Sequence, residues 1–309
     1  MKYFISAFLF AFSLVSHSQP AWPIKPIKII SPYVAGGDND IFIRKLQPNL
    51  EKILGQTIYI ENRPGAGGNI GATELSTSSN DGYTWMIADD TITTVNPWVL
   101  PQSEATNKIQ ASMILTSRGI TLVCKTDLEV DNFNGLVKLA KTKSISFANS
   151  GVGTPSFIQA ELLKKNYNLD MVSVPFNGNA PVITALIGKH VDCTFLPVSQ
   201  ILPLVESKIV KPIVYSEDKR SILLPNTPSF IEVGYRNWYT SAYRVLFANK
   251  NTPEYIVNAM ISAVEKSMKD NVVKQELEKM NHSILALNAK ESDDRLSKLS
   301  ANMKIFFNK

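Results

Sequence analysis

Three segments of the chain place small residues where an extended run ends and a helical pattern begins: Val34-Ala-Gly-Gly-Asp38, Asn149-Ser-Gly-Val-Gly-Thr154 and Pro175-Phe-Asn-Gly-Asn-Ala-Pro181. Each offers backbone N–H groups together with the start of a helix, a combination that attracts a carboxylate or phosphate without any positive side chain. Any one of them also reads as ordinary turn and cap chemistry. Three of them, at the carboxyl ends of strands where ligands bind in open α/β sheets, point to an anionic ligand. A second feature is Asp89-Asp90, which closes the apolar run Trp85-Met-Ile-Ala88. Two readings stand side by side: the carboxylates receive a ligand ammonium group or a cation, or Asp90 merely caps the turn that follows. Tyr33, Phe157 and Phe176 flank the glycine loops, where an aromatic ring either packs on a ligand or fills the core beside a sheet.

Catalysis lacks its usual parts. There is no Walker lysine pattern, no Gly-x-Ser-x-Gly elbow and no zinc-protease histidine pair. The run Gly65-Ala-Gly-Gly-Asn-Ile-Gly71 resembles a phosphate loop, but Ile70 stands where the dinucleotide pattern needs glycine, so a turn feeding a helix is expected. His190 and His282 lie far apart in sequence, which argues against a histidine base or metal cluster, and both are expected on the solvated surface. No enzyme, no cofactor and no metal are expected.

These loops need a scaffold, and the chain supplies one from Lys25 onward by alternating short β-like runs with helical patterns, the mark of an α/β fold. Lys28-Ile-Ile-Ser31 reads as the first strand. From Asp38, apolar positions Ile41, Phe42, Leu46, Leu50, Ile53 and Leu54 share a helical face that Gly55 stops. Further strands are expected at residues 57–60, 83–88, 113–116, 120–124, 145–148, 171–174, 191–196, 212–215 and 244–248, with helices at 133–141, 156–165 and 181–188. After Asn249 the pattern is helical over 253–269, 272–280 and 290–307, apart from a short strand at 284–287.

With 309 residues, 44% hydrophobic and 19% charged, the chain is long and apolar enough for two cores and is neither disordered nor polytopic. The formal charge of +5 is scattered without a run of five or six like charges, so nucleic acid is not an expected partner. Residues 1–18 read as a secretory signal: Lys2 begins it, Phe4 to Val15 is apolar, and Ser16-His17-Ser18 is a cleavage site, with Gln19 starting the mature chain. The apolar stretch is too short to span a bilayer. For an exported chain, Cys124 and Cys193 could form one disulfide. Nothing in the sequence brings them together, so two buried thiols in separate strands are the expectation.

The motifs Trp22-Pro-Ile-Lys-Pro-Ile27, Pro32-Tyr-Val-Ala-Gly-Gly-Asp-Asn-Asp40, Glu61-Asn-Arg-Pro-Gly-Ala-Gly-Gly-Asn-Ile-Gly-Ala72 and Asp81-Gly-Tyr83 strongly resemble the Bug-type solute receptors of tripartite tricarboxylate transporters. The likeness continues through Ala148–Thr154, Val174–Pro181, Leu224–Pro228 and the tail from Thr252, which is essentially the whole mature chain. It implies a periplasmic two-lobed receptor of the type II binding-protein fold, with mostly parallel sheets flanked by helices and two hinge crossings near Cys124 and Arg244. Residues 22–122 with 246–309 would form the first lobe and 123–245 the second. The ligand would be a small organic acid or amino acid, delivered by a monomeric receptor to an integral-membrane permease; the alternative is presentation to a membrane sensor.

Carried onto this chain, the resemblance places Tyr33, Ala35, Gly36 and Asp40 in the first-lobe loop of the site. Ser150, Gly151 and Thr154, with Phe176, Asn177 and Gly178, fall in the second-lobe loops, whose N–H groups would take one carboxylate. Three departures bear on specificity. Phe157 stands where the family commonly has histidine, Leu196 where it has aspartate, and Asp89-Asp90 replaces a small neutral stretch. The expectation is a ligand with a carboxylate at one end and a less acidic group, an amine or an aromatic ring, at the other.

Overall fold

A computed structural model describes residues 21–100, 103–235 and 242–307; the expected signal at residues 1–18 lies outside them. Strand β1 (Ile27–Ser31) buries Ile27, Ile29 and Ile30. Helix α1 (Asp38–Leu54) follows it, starting with Asp38 and Asp40 in a first turn whose free N–H groups favour negative charge, and ending at Gly55 with φ 65°. Its buried residues Phe42, Leu46 and Leu50 repeat every four positions and pack on the sheet. Strand β2 (Ile58–Asn62), helix α2 (Asn69–Thr77) and strand β3 (Thr84–Asp89) come next, and β2 and β3 flank β1 in parallel. The glycine run at 65–71 is a turn feeding α2, as its Ile70 indicates. Two single-turn helices, α3 (Thr91–Thr94) and α4 (Asn96–Val99), precede the long strand β4 (Ile109–Arg118).

At Gly119 the chain leaves this sheet. Beyond it lie β5 (Ile120–Lys125), α5 (Phe133–Leu139), β6 (Ile145–Asn149), α6 (Pro155–Tyr167), β7 (Met171–Pro175), α7 (Asn179–Ile187), β8 (Cys193–Pro197), α8 (Val198–Glu206) and β9 (Val210–Tyr215). The return brings β10 (Ala242–Asn249), α9 (Glu254–Lys269), α10 (Asn271–Lys279), β11 (Ser283–Leu287) and α11 (Ala289–Phe307). Two sheets result, ordered β11-β4-β10-β3-β1-β2 and β7-β6-β8-β5-β9. Each carries its own core, around Trp85, Phe42 and Met260 in the first and around Phe147, Phe195 and Phe230 in the second. The fold is α/β and two-lobed.

The sheets are mixed where mostly parallel ones were expected. The long strand β4 and the return strand β10 pair antiparallel with each other, as do β10 with β3 and β5 with both β8 and β9. This pairing corrects the cysteine expectation. Residues Cys124 and Cys193 face each other across β5 and β8 with Cα atoms 4.0 Å apart, and they form a disulfide. The bond follows from β5 running as an inner strand between β8 and β9, a long-range arrangement that no local pattern announces.

Candidate functional site

Two adjoining cavities lie between the lobes, an inner one of about 500 Å³ and an outer one of about 1210 Å³, sharing Tyr33, Val34, Ser150, Thr154 and Gly178. On the second-lobe side of the inner cavity stands the start of α6. Thr154 is its N-cap and Pro155 its first residue, which suits a position whose N–H would be unpaired in any case. Three hydroxyls gather there: Ser150 Oγ lies 2.9 Å from Ser156 Oγ and 3.2 Å from Thr154 Oγ1. Thr154 in turn donates to the Gly151 carbonyl at 2.6 Å.

The expected loop donors are used differently. The N–H of Ser150 is held by Ser156 Oγ, that of Gly151 by Asn149 Oδ1, that of Thr154 by the Gly151 carbonyl and that of Gly178 by the Ser150 carbonyl. These bonds stiffen the loop. The hydroxyl cluster lines the inner cavity at the first turn of α6, whose leading N–H groups have no intrahelical acceptor.

The first-lobe wall is built by an ion network. Arg244 is fully buried; its Nη2 lies 2.7 Å from Asp38 Oδ2, and its Nη1 lies 2.9 Å from Asp89 Oδ1 and 2.6 Å from Asn39 Oδ1. Arg118 adds contacts to Asp38 Oδ2 at 3.2 Å and Asp89 Oδ1 at 3.0 Å. Burial by itself raises the Asp38 pKa, but Arg118 and Arg244 outweigh it and hold the carboxyl far below the usual range. His282 is buried, contrary to expectation, because β11 pairs with β4 and sets the ring against Thr116 Oγ1 at 2.7 Å and Phe42. Burial lowers its pKa to about 4 despite the attraction of Asp38 3.9 Å away, so the ring is neutral. His190 is exposed, as its sequence suggests.

Of the residues expected to line the site, Tyr33, Asp89, Ser150, Thr154 and Gly178 meet in the inner cavity, and Gly151, Phe176 and Asn177 in the outer one. The others lie elsewhere. Ala35 and Gly36 are exposed, and Asp40 turns away to bind the Gly36 N–H, Arg44 and Asn62, so it holds the loop in shape. Asp90 is buried, accepting from the Tyr243 N–H at 2.9 Å and the Thr94 hydroxyl at 3.2 Å; it stands at the N-cap of α3, but its side chain makes no capping bond to that helix. Leu196 points to the opposite face of β8 from Phe195 and Pro197 and enters the core. Phe157 packs with Trp98 and the end of α11. Sequence reading missed Asp38, Asn39, Arg118, Ser156 and Arg244; a lone charge inside the apolar run Tyr243-Arg-Val-Leu-Phe247 was the available signal.

The lobes touch at these loops, so the cleft is closed. A Cβ on Gly178 would stand 2.8 Å from Val34 Cγ2, and one on Gly153 would stand 2.2 Å from Asn96 Oδ1. Ser199 of α8 also donates to Asp38 Oδ1 across the cleft at 3.3 Å.

The profile of the tripartite tricarboxylate transporter family receptor matches residues 42–304. The chain belongs to that family. Among this receptor's relatives is the UPF0065 protein in the TAR-I ttuE-ttuC' intergenic region of Agrobacterium vitis, 28% identical over 264 residues, which cover 84% of this chain and 76% of that one. The periplasmic binding protein BugD superposes with a TM-score of 0.84 at 23% identity, covering 93% of the receptor and 98% of BugD. MatC from Rhodopseudomonas palustris, solved with bound malate, gives 0.82 at 22% identity over 93% of the receptor and 100% of MatC. Family and fold are those of solute-binding receptors, not enzymes.

Proposed function

We propose that the receptor works in the periplasm, exported by residues 1–18, where it closes its lobes on a small carboxylate-bearing solute and delivers it as a monomer to a tripartite tricarboxylate transporter permease. The observation that carries this reading is the Ser150, Thr154 and Ser156 hydroxyl cluster at the head of α6, facing a cavity between the lobes. A helix start and neutral donors bind one carboxylate without needing a cation, and closure removes the water that would weaken those bonds. The moving bodies are the two sheets with their helices, hinged where the chain passes from one sheet to the other at Gly119. MatC, with malate bound, supports the ligand class.

The test is heat unfolding of residues 19–309, refolded free of ligand, with mono- and dicarboxylates, hydroxy acids and amino acids. A ligand at a hundredfold excess over its Kd stabilises the native state by about 2.7 kcal/mol. Stabilisation by acids and not by their methyl esters supports the reading, and none by any carboxylate overturns it. Uptake by vesicles holding the permease, with and without the receptor, tests delivery.

A further inference from the structure

Resting on the carboxylate-receptor reading, we propose that the inner cavity selects a ligand whose far end carries a hydrogen-bond donor, a hydroxyl or a protonated amine, held by Asp89 and Tyr33, and that it disfavours a second carboxylate there.

Asp89 is 5% exposed and lines the cavity. Both of its arginine contacts fall on Oδ1, and Oδ2 makes no hydrogen bond to any described residue. Beside it, the Tyr33 hydroxyl is buried on the same cavity wall, near Asp89 but not at ordinary hydrogen-bond geometry with it. Burial and then the negative charge of Asp89 raise the Tyr33 pKa well above its ordinary value, so the phenol keeps its proton. The wall therefore offers an open carboxylate oxygen next to a neutral O–H. A buried hydroxyl left without a partner is costly, and a ligand group that satisfies it gains accordingly. A hydroxyl donates to Asp89 Oδ2 and accepts from Tyr33, whereas an ammonium donates to both. A carboxylate would meet the Asp89 charge.

The two arginines do not reverse this preference. Arg244 already gives its Nη1 to Asp89 and Asn39 and its Nη2 to Asp38, and Arg118 pairs with the same two carboxylates. Two cations face two anions, and His282 is neutral, so this wall has no net positive charge for a second carboxylate to use. The opposite wall, with the hydroxyls at the head of α6, suits the ligand's single carboxylate.

Titration calorimetry on residues 19–309 with two matched series decides the matter: succinate, γ-hydroxybutyrate and γ-aminobutyrate, then adipate, ε-hydroxycaproate and ε-aminocaproate. In at least one series the hydroxyl or amino compound binds about tenfold or more tightly than the diacid, the effect of a hydrogen bond to a charged group. Tyr33→Phe reduces that ratio severalfold, and Asp89→Asn reduces it most for the amine. Because Asp89 also pairs with two buried arginines, its variant can fail to fold, and Tyr33→Phe keeps the test intact. Diacids binding as tightly or more tightly in both series, or a ratio unmoved by Tyr33→Phe, overturn the proposal while leaving the carboxylate-receptor reading in place. Binding by no carboxylate at all brings down both.

Discussion

Arg244 and Asp89 stand directly opposite each other on the antiparallel strands β10 and β3, with the guanidinium Nη1 2.9 Å from the carboxylate Oδ1. The pair links the strand that returns from the second lobe to the strand that ends at the ligand cavity. Both side chains are buried, so the attraction competes with a large desolvation cost, and the network survives by matching every charge. Replacing Arg244 with Met leaves Asp38 and Asp89 to share Arg118 alone. We expect Arg244→Met to lower unfolding stability by about 3–5 kcal/mol in urea titrations. Adding Asp89→Asn restores the balance, and the double variant should be more stable than Arg244→Met. A double variant that is weaker still would show that packing, not charge, dominates.

Closure depends on Gly178. A methyl group there meets Val34 Cγ2 at 2.8 Å, and φ of 98° already disfavours any side chain. Gly178→Ala should weaken ligand binding about tenfold, within the range of overpacking penalties. The clash and the backbone strain can be separated, because Val34→Ala removes Cγ2 and leaves φ unchanged. Partial recovery of affinity in the double variant assigns the loss to the contact between lobes. No recovery assigns it to the backbone.

Local periodicity made much of the frame readable. Ile27, Ile29 and Ile30 ahead of a glycine turn, then Phe42, Leu46 and Leu50 at helical spacing, announce β1 and α1 because each signal is complete within a few residues. Helix α8 was not singled out, and Pro203 lies inside it. The first-lobe wall of the site was hidden for a different reason. Asp38 and Arg244 are 206 positions apart and meet only because β10 inserts antiparallel between β3 and β4. The glycine loops marked the cavities between the lobes, but not which of their N–H groups the protein would keep for itself.

The disulfide has an expected stability signature. It closes a loop of 69 positions between two fully buried sulfurs, so it restricts the unfolded chain substantially. Cys124→Ala with Cys193→Ala should cost about 2–4 kcal/mol of unfolding free energy. Neither cysteine lines either of the two cavities between the lobes, so ligand affinity should change little. Native protein should show no reactive thiol until it is both unfolded and reduced, and free thiols under non-reducing denaturing conditions would contradict the bond.

His282 sets a pH window for stability. Its pKa is about 4 in the folded chain against an ordinary 6.5, because burial disfavours the charged ring. Between those values the unfolded chain binds a proton that the native chain refuses. The contribution of His282 is therefore full above about pH 6.5 and falls as pH drops toward 4, by about 3 kcal/mol across the interval. Asp38 acts in a separate range: with its pKa held below the ordinary 3.8 by its cationic partners, its contribution is intact above that value and is lost on further acidification. Urea midpoints taken from pH 7 to pH 4 should decline in the wild type, and His282→Gln should flatten that decline. An equal slope in both proteins would mean that the ring titrates alike in the folded and unfolded chains, so that burial does not shift it.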